Sequence, residues 1–123
     1  MDYYRERIID HYKDPQNWGD MNNPDVVMVG NNLLCGDILR LKLKIDNRKL
    51  KDFKFIGSGC ALSIAAASLL SEMVKDMEVT KVKKLKKEDI LNLLGTNLSP
   101  NRLKCGLLCL DTLLEAVKRY EGK

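Results

Sequence analysis

The stretch from Asp37 to Leu70, DILRLKLKIDNRKLKDFKFIGSGCALSIAAASLL, changes its hydrophobic period once. Its first part alternates apolar with basic residues, a pattern typical of a half-buried strand, and the apolar set is Leu39, Leu41, Leu43 and Ile45. DNRK then supplies a turn before a second apolar run, so the two runs predict an antiparallel hairpin. After Gly59 the apolar residues recur near every 3.6 positions among strong helix formers, which predicts a helix.

The flanking segments complete an α+β pattern. A short helix is predicted over residues 3–12, and VVMVG after Asp25 predicts one more strand before the hairpin. Two further helices are predicted, one in KEDILNLLG ending at Gly95 and one from about Pro100 to Tyr120. We expect a small three-stranded, mainly antiparallel sheet with helices packed on one face, forming a single domain over residues 1–123.

Composition and charge limit the classes of function. The net charge of +4 is modest and acids are interspersed with bases, so nothing indicates nucleic-acid binding. The basic run KVKKLKK at Lys81 to Lys87 fits a solvated surface better than a site for an acidic partner. No signal peptide or membrane span is visible, so we expect a cytoplasmic protein whose four cysteines are metal ligands, reactive thiols or core residues rather than disulfides.

Two of the cysteines stand beside glycines at the ends of predicted elements. Cys35 precedes Gly36 and Asp37, so a sulfur and an oxygen ligand are available from one tight turn, although a solvated aspartate in a turn is an equal alternative. Cys60 lies at the start of the alanine-rich helix, where the helix dipole favours a thiolate. Burial of Cys60 as a small apolar residue is an equal alternative at this point.

The other two cysteines share the last helix. Cys105 and Cys109 lie four residues apart with Thr112 and Ala116 on the side opposite a leucine stripe, so this helix has a second buried or functional face. For Cys105, near the helix start, we favour chemistry, and for Cys109 we favour core packing. No C-x-x-C pair is present, and His11 is predicted to have a surface or capping role rather than to bind metal.

Four motifs, in order, resemble the U-type iron–sulfur cluster scaffold family, which comprises IscU, SufU and the N-terminal domain of NifU. YRERIIDHYKDPQNWG is similar to the family's N-terminal motif, and CGD to its first ligand loop. FKFIGSGCALSIAAASLLSE resembles its F-x-G-x-G-C-A-I-S helix start, and RLKCGLL the segment around its third cysteine. The resemblance implies three cluster cysteines at Cys35, Cys60 and Cys105, with Asp37 as the aspartate that modulates cluster lability, and it implies that Gly57 and Gly59 let the loop bend around sulfide.

The chain also departs from the family pattern. Lys104 stands where IscU members have histidine before the third cysteine, and LSPNR replaces their chaperone-recognition segment L-P-P-V-K. SufU members likewise lack the histidine, but they carry an insertion that the interval from Cys60 to Cys105 is too short to hold. We therefore consider Cys109 and Lys104 as possible additional ligands, with Cys109 in reserve and Lys104 as a positive charge near the thiolates.

The resemblance implies a scaffold or carrier rather than an enzyme. A transient 2Fe-2S cluster would be built from iron and from sulfur delivered by a cysteine desulfurase, then passed to apo iron–sulfur acceptor proteins. The alternative is a zinc-bound, SufU-like sulfur-transfer protein that accepts persulfide from the desulfurase, and a third class is a small metal-stabilised binding domain. Zinc in the isolated protein is compatible with each, because thiolate sites take up zinc readily. We also expect a possible homo-oligomer and no nucleic-acid or membrane partner.

Overall fold

The computed structural model describes residues 3–33, 36–95 and 98–122. The elements are α1 (Tyr3–Lys13), β1 (Val26–Asn32), β2 (Asp37–Asp46), β3 (Lys49–Ser58), α2 (Ala61–Val74), α3 (Val79–Val82), α4 (Lys87–Leu94) and α5 (Pro100–Glu121). The predicted α+β class is confirmed. The sequence analysis did not predict the single turn α3, which places Val79 and the Val82 of the basic run in the core.

The three strands form one antiparallel sheet in the order β1-β2-β3. The β2–β3 hairpin closes through Asn47 and Arg48, whose φ angles of 53° and 63° are both left-handed, as in the two-residue turns that match sheet twist. Along β2 the predicted apolar residues are buried, while the basic residues between them are partly exposed. The sheet therefore has one face toward the core and one toward solvent.

Helices cover the core face. α5 packs on β1 and β2, α2 packs on β3 and on α5, and α1 packs on α2. Leu39, Leu41 and Leu43 are fully buried together with Phe53 and Phe55 from β3. Within the described ranges, no helix is both long enough and apolar enough to cross a bilayer.

The outer edge of β3 is paired with irregular chain at two places. The N–H of Gly19 donates to the carbonyl of Phe55, and the N–H of Phe55 donates to the carbonyl of Asn17. Leu50 pairs in the same way with Asp76 and Met77. Because an unpaired strand edge invites association with other chains, these contacts protect the sheet.

Candidate metal centre

Asp37 begins β2, directly after the turn that follows β1. Gly36 before it has a φ of 72°, a left-handed conformation that glycine adopts without steric cost. Side chains alternate along a strand, so Asp37 lies on the same face as Leu39, toward the core. The side chain is 0% exposed, and its carboxylate is therefore held by protein groups.

Cys60 is brought to this carboxylate by the β2–β3 hairpin. Ile38 pairs with Ser58, so the residues after β3 meet the first residue of β2. Cys60 is the N-cap of α2, and its backbone N–H donates to Asp37 Oδ1 over 2.9 Å. Its thiol is exposed and lies 3.7 Å from Asp37 Oδ2. The sulfur thus points to the carboxylate and makes no side-chain capping bond to the helix.

Cys105 approaches from the second turn of α5 and is 4% exposed. Its Sγ lies 3.8 Å from the side-chain nitrogen of Asn32, which donates to it. Asn32 ends β1 and pairs with Asp37, so the junction of β1 and β2 meets α5 at this thiol.

A fourth residue, Ser63, was missed by the sequence analysis. It is 1% exposed, and its hydroxyl donates to Asp37 Oδ2 over 2.6 Å. The signal was its spacing, because a residue three positions after Cys60 in a helix faces the same direction. Serine is common in helices without a site role, so the spacing alone did not distinguish it.

The electrostatics of Asp37 reflect two opposing effects. Burial alone raises the pKa of the carboxyl group, because the charged form loses its hydration. Hydrogen bonds from Ser63, from the Cys60 N–H and from the Cys105 and Cys60 thiols outweigh burial and hold the pKa of Asp37 below its usual value. The group is therefore a carboxylate at neutral pH and can act as an oxygen ligand.

Together these elements form a compact ligand group. One oxygen of Asp37 and the sulfurs of Cys60 and Cys105 all lie within 4.8 Å of one another. This bound is close to the span of two metal–sulfur bonds of about 2.3 Å each, so small side-chain adjustments would let one metal ion bind all three atoms. Cys35, the remaining cysteine of the predicted set, lies outside the described residues.

The sequence analysis discussed three further residues, Cys109, Lys104 and His11. Cys109 is 1% exposed in the hydrophobic core, where burial raises the pKa of its thiol, and it is not part of the ligand group found in the described chain. Lys104 is exposed on α5. His11 Nδ1 lies 2.7 Å from Ser68 Oγ and Nε2 lies 3.7 Å from a Glu72 oxygen, so His11 connects α1 to α2.

Gly59 was expected to let the loop bend, but in the structure its role is to leave room for the Asp37 side chain. A Cβ on Gly59 would overlap Asp37 Oδ1, so the missing side chain makes room for the carboxylate. Gly57 belongs to β3, and neither glycine has the left-handed backbone that a glycine-specific bend requires.

An open groove of about 760 Å³ adjoins the loop that leads into Cys60. Trp18, Tyr12 and Lys13 line one part of it, and Gly57, Ser58 and Gly59 line another. The groove reaches Gly59, the residue directly before the exposed Cys60.

Comparisons with known proteins identify the family to which this chain is similar. The profile of the family described as "NifU-like N terminal domain" matches residues 3–123. The "Iron-sulfur cluster assembly enzyme IscU" of Drosophila melanogaster is 38% identical over 98% of this chain and 79% of its own length. The "Zinc-dependent sulfurtransferase SufU" of Bacillus subtilis is 35% identical over 97% of this chain and 92% of its own length.

Two solved structures share the fold. The crystal structure of FiSufU from Fervidobacterium islandicum AW-1 has a TM-score of 0.81 and 29% identity, covering 91% of this chain and 94% of that one. The N-terminal part of a NifU-like protein from Brucella abortus has a TM-score of 0.81 at 20% identity, covering 98% and 95% of the two chains. The second likeness concerns the fold alone.

Proposed function

We propose that this chain, which belongs to the family of NifU-like N-terminal domains, is a scaffold on which a 2Fe-2S cluster is assembled. The assembled cluster then passes to apo-proteins. The observation that carries the proposal is the group of Asp37, Cys60 and Cys105 within 4.8 Å, with one thiol exposed. The family profile covers nearly the whole chain, which supports our treating residues 1–123 as one domain.

The donor set suits the cluster as a cargo. Thiolates bind iron strongly, and a carboxylate oxygen is a weaker ligand for it. Asp37 is therefore the position at which an incoming acceptor thiolate displaces a ligand, while Cys35, Cys60 and Cys105 hold the cluster until transfer. In this role the protein is a carrier that does not catalyse a reaction of its own.

Sulfur reaches the site from a cysteine desulfurase in this proposal. A thiolate attacks the outer sulfur of the desulfurase persulfide, and among the described cysteines Cys60 is the exposed one. The new bond forms on Cys60 as the sulfur–sulfur bond of the donor breaks, and the donor cysteine leaves as a thiolate. Two electrons from an external reductant then convert each transferred sulfur to sulfide.

Anaerobic reconstitution tests the scaffold proposal. Ferrous iron, a cysteine desulfurase, cysteine and dithiothreitol should produce the visible absorption of a 2Fe-2S cluster on the full chain. Cys60→Ser should abolish it, whereas the matched variant Cys109→Ser, which removes a thiol from the same fold outside the ligand group, should retain it. Absence of the chromophore in the unmodified chain, or its persistence in Cys60→Ser, would contradict the proposal.

Zinc-dependent sulfur transfer is the second candidate. It is favoured by the match to the Bacillus subtilis relative over 97% of this chain and by Lys104 in place of histidine. A protein of this kind should be purified with bound zinc, accelerate desulfurase turnover and carry a persulfide detectable by mass. Cluster formation with no acceleration of the desulfurase would exclude it.

A further inference from the structure

Ser63 occupies the third position of α2 and has its hydroxyl inside the ligand group. Its Oγ lies 2.6 Å from Asp37 Oδ2, 3.3 Å from the carbonyl oxygen of Cys105 and 3.5 Å from Cys60 Sγ. Because Ser63 is only 1% exposed, water does not compete for these contacts. The hydroxyl therefore touches each of the three residues that supply the ligand atoms.

Its single proton belongs to Asp37. A hydroxyl donates one hydrogen, and the 2.6 Å bond falls within the short range of hydrogen bonds to a carboxylate. The contacts to Cys105 and Cys60 are longer, so they receive at most a minor share of this proton. The two oxygens of Asp37 are thus fixed separately, Oδ1 by the Cys60 N–H and Oδ2 by Ser63.

Ser63 and the Cys60 backbone hold Asp37 through groups that are not themselves ligand atoms. The Ser63 hydroxyl donates to Oδ2 and the Cys60 N–H donates to Oδ1. A carboxylate oxygen has two lone pairs, so Oδ2 can accept from Ser63 and bind a metal at once.

We propose that Ser63 is a positioning residue that fixes Asp37 as the oxygen ligand and sets how firmly this ligand holds the metal. The inference rests on the proposed function only in taking Asp37 as a ligand. Hydrogen bonds to metal ligands orient them, and their loss lowers metal affinity by about 10- to 100-fold. Ser63 also keeps Asp37 in place while the cargo leaves, so the next metal meets a preformed site.

A double-mutant cycle on metal affinity tests the proposal. Zinc and cobalt(II) affinities of the full chain are measured by chelator competition for the unmodified protein, Ser63→Ala, Asp37→Ala and the double variant. Ser63→Ala should lower the affinity by about 10- to 100-fold, and it should have no further effect once Asp37 is alanine. The cobalt(II) visible spectrum of Ser63→Ala should shift toward that of Asp37→Ala, which general destabilisation would not cause.

Ser71→Ala is the matched control. Ser71 is also a buried serine on α2, but its hydroxyl donates to the carbonyl of Ser68 and accepts from Asn17, outside the ligand group. The metal affinity of Ser71→Ala should remain within about twofold of that of the unmodified protein. If Ser63→Ala does not fold, Ser63→Thr and Ser63→Val provide a second comparison, because their side chains have the same shape and only Thr has a hydroxyl. Ser63→Thr should bind the metal more tightly than Ser63→Val.

The outcomes separate the inference from the function. Unchanged affinity in Ser63→Ala, additive effects in the double variant, or equal affinities for Thr and Val would each overturn the inference. If Asp37→Ala itself binds metal normally, Asp37 is not a ligand, and both the inference and the proposed exchange position fail. If the metal-affinity coupling is present but no cluster can be reconstituted, the scaffold function fails while the role of Ser63 stands.

Discussion

Asp37 combines two roles in one side chain, since it is a proposed ligand and also the acceptor that anchors the start of α2 through the Cys60 N–H. Asp37→Ala should lower the equilibrium affinity for metal but make an assembled cluster longer-lived and slower to transfer, because the labile oxygen at which an acceptor thiolate enters is gone. Transfer to an apo-ferredoxin, followed by visible circular dichroism, measures this. Asp46→Ala, an exposed aspartate at the other end of β2, is the control, and equal or faster transfer by Asp37→Ala would contradict the exchange role.

Gly59 has no Cβ atom, and this leaves the space that the Asp37 carboxylate occupies. Gly59→Ala should displace the Asp37 carboxylate, because the new Cβ would overlap Oδ1. We expect zinc affinity to fall by about tenfold or more while the far-ultraviolet circular dichroism stays native. Gly122→Ala, whose Cβ would make only ordinary contacts of 3.4 and 3.6 Å, should bind zinc normally. Normal affinity in Gly59→Ala would show that the carboxylate can move without loss.

Cys109 gives a pH-dependent prediction. Burial raises the pKa of its thiol, whereas in the unfolded chain the thiol ionises near pH 8.5. The unfolded state alone loses this proton at alkaline pH, so the stability contributed by the neutral thiol is complete below about pH 8.5 and is lost as pH rises. By pH 10 this loss amounts to roughly 1–2 kcal/mol, at about 1.36 kcal/mol for each pH unit above the unfolded pKa.

Cys109→Ala should therefore lose less stability than the unmodified chain between pH 7 and pH 10, by roughly 1–2 kcal/mol. Urea unfolding at the two pH values measures the difference, and other titrating groups cancel in the comparison. Parallel pH dependence of the two proteins would contradict the prediction. In the native protein, iodoacetamide should label exposed Cys60 and not Cys109.

Helix α1 and the loop after it are attached to α2 by buried hydroxyl groups. Ser68 is 0% exposed, accepts from the Gln16 N–H over 2.7 Å and bonds to His11 Nδ1. Ser68→Ala leaves both partners without this bond, which should cost about 1–3 kcal/mol. Hydrogen exchange should accelerate in α1 and residues 14–19 more than in α5, and Ser58→Ala, an exposed serine, should have no such effect. Uniform acceleration would show that α1 unfolds only with the whole domain.

The elements themselves could be predicted because each has a clear local signal. Alternation defined β2, and the DNRK turn defined the hairpin. A 3.6-residue period defined α2 and α5, and Gly95 marked the end of α4. The pairing of Asn17 and Gly19 with Phe55 could not be predicted, because it joins irregular chain to a distant strand through backbone atoms. No side-chain pattern records such bonds.

The site was predicted less evenly than the elements. The resemblance supplied Cys60, Cys105 and Asp37, which the structure brings together, and packing separated Cys109 from them. Neither source indicated that Asp37 is fully buried and accepts from four donors, since this depends on the approach of α2 and α5 across the end of the sheet. Ser63 and Gly59 gain their importance only from that approach.

The ligand group joins three parts of the molecule that are distant in sequence, the start of β2, the N-cap of α2 and the second turn of α5. A metal bound here therefore links the sheet to both helices, and the unfolded chain offers no comparable site. Binding to the folded state alone stabilises it by about 2.7 kcal/mol when free metal is 100 times its dissociation constant. For a chain of this size that corresponds to a rise in Tm of roughly 10 °C.

We thus expect zinc to raise the Tm of the full chain by roughly 10 °C and a chelator to reverse the rise, as measured by thermal denaturation under reducing conditions. Cys60→Ser should lose the rise, because the metal would no longer connect α2 to β2 and α5. Cys109→Ser should have a lower Tm without metal, as a packed thiol has been replaced by a hydroxyl, but should show the same rise with zinc. A rise that persists in Cys60→Ser would mean that zinc stabilises the fold from another place, and the ligand group would then have no part in holding the three elements together.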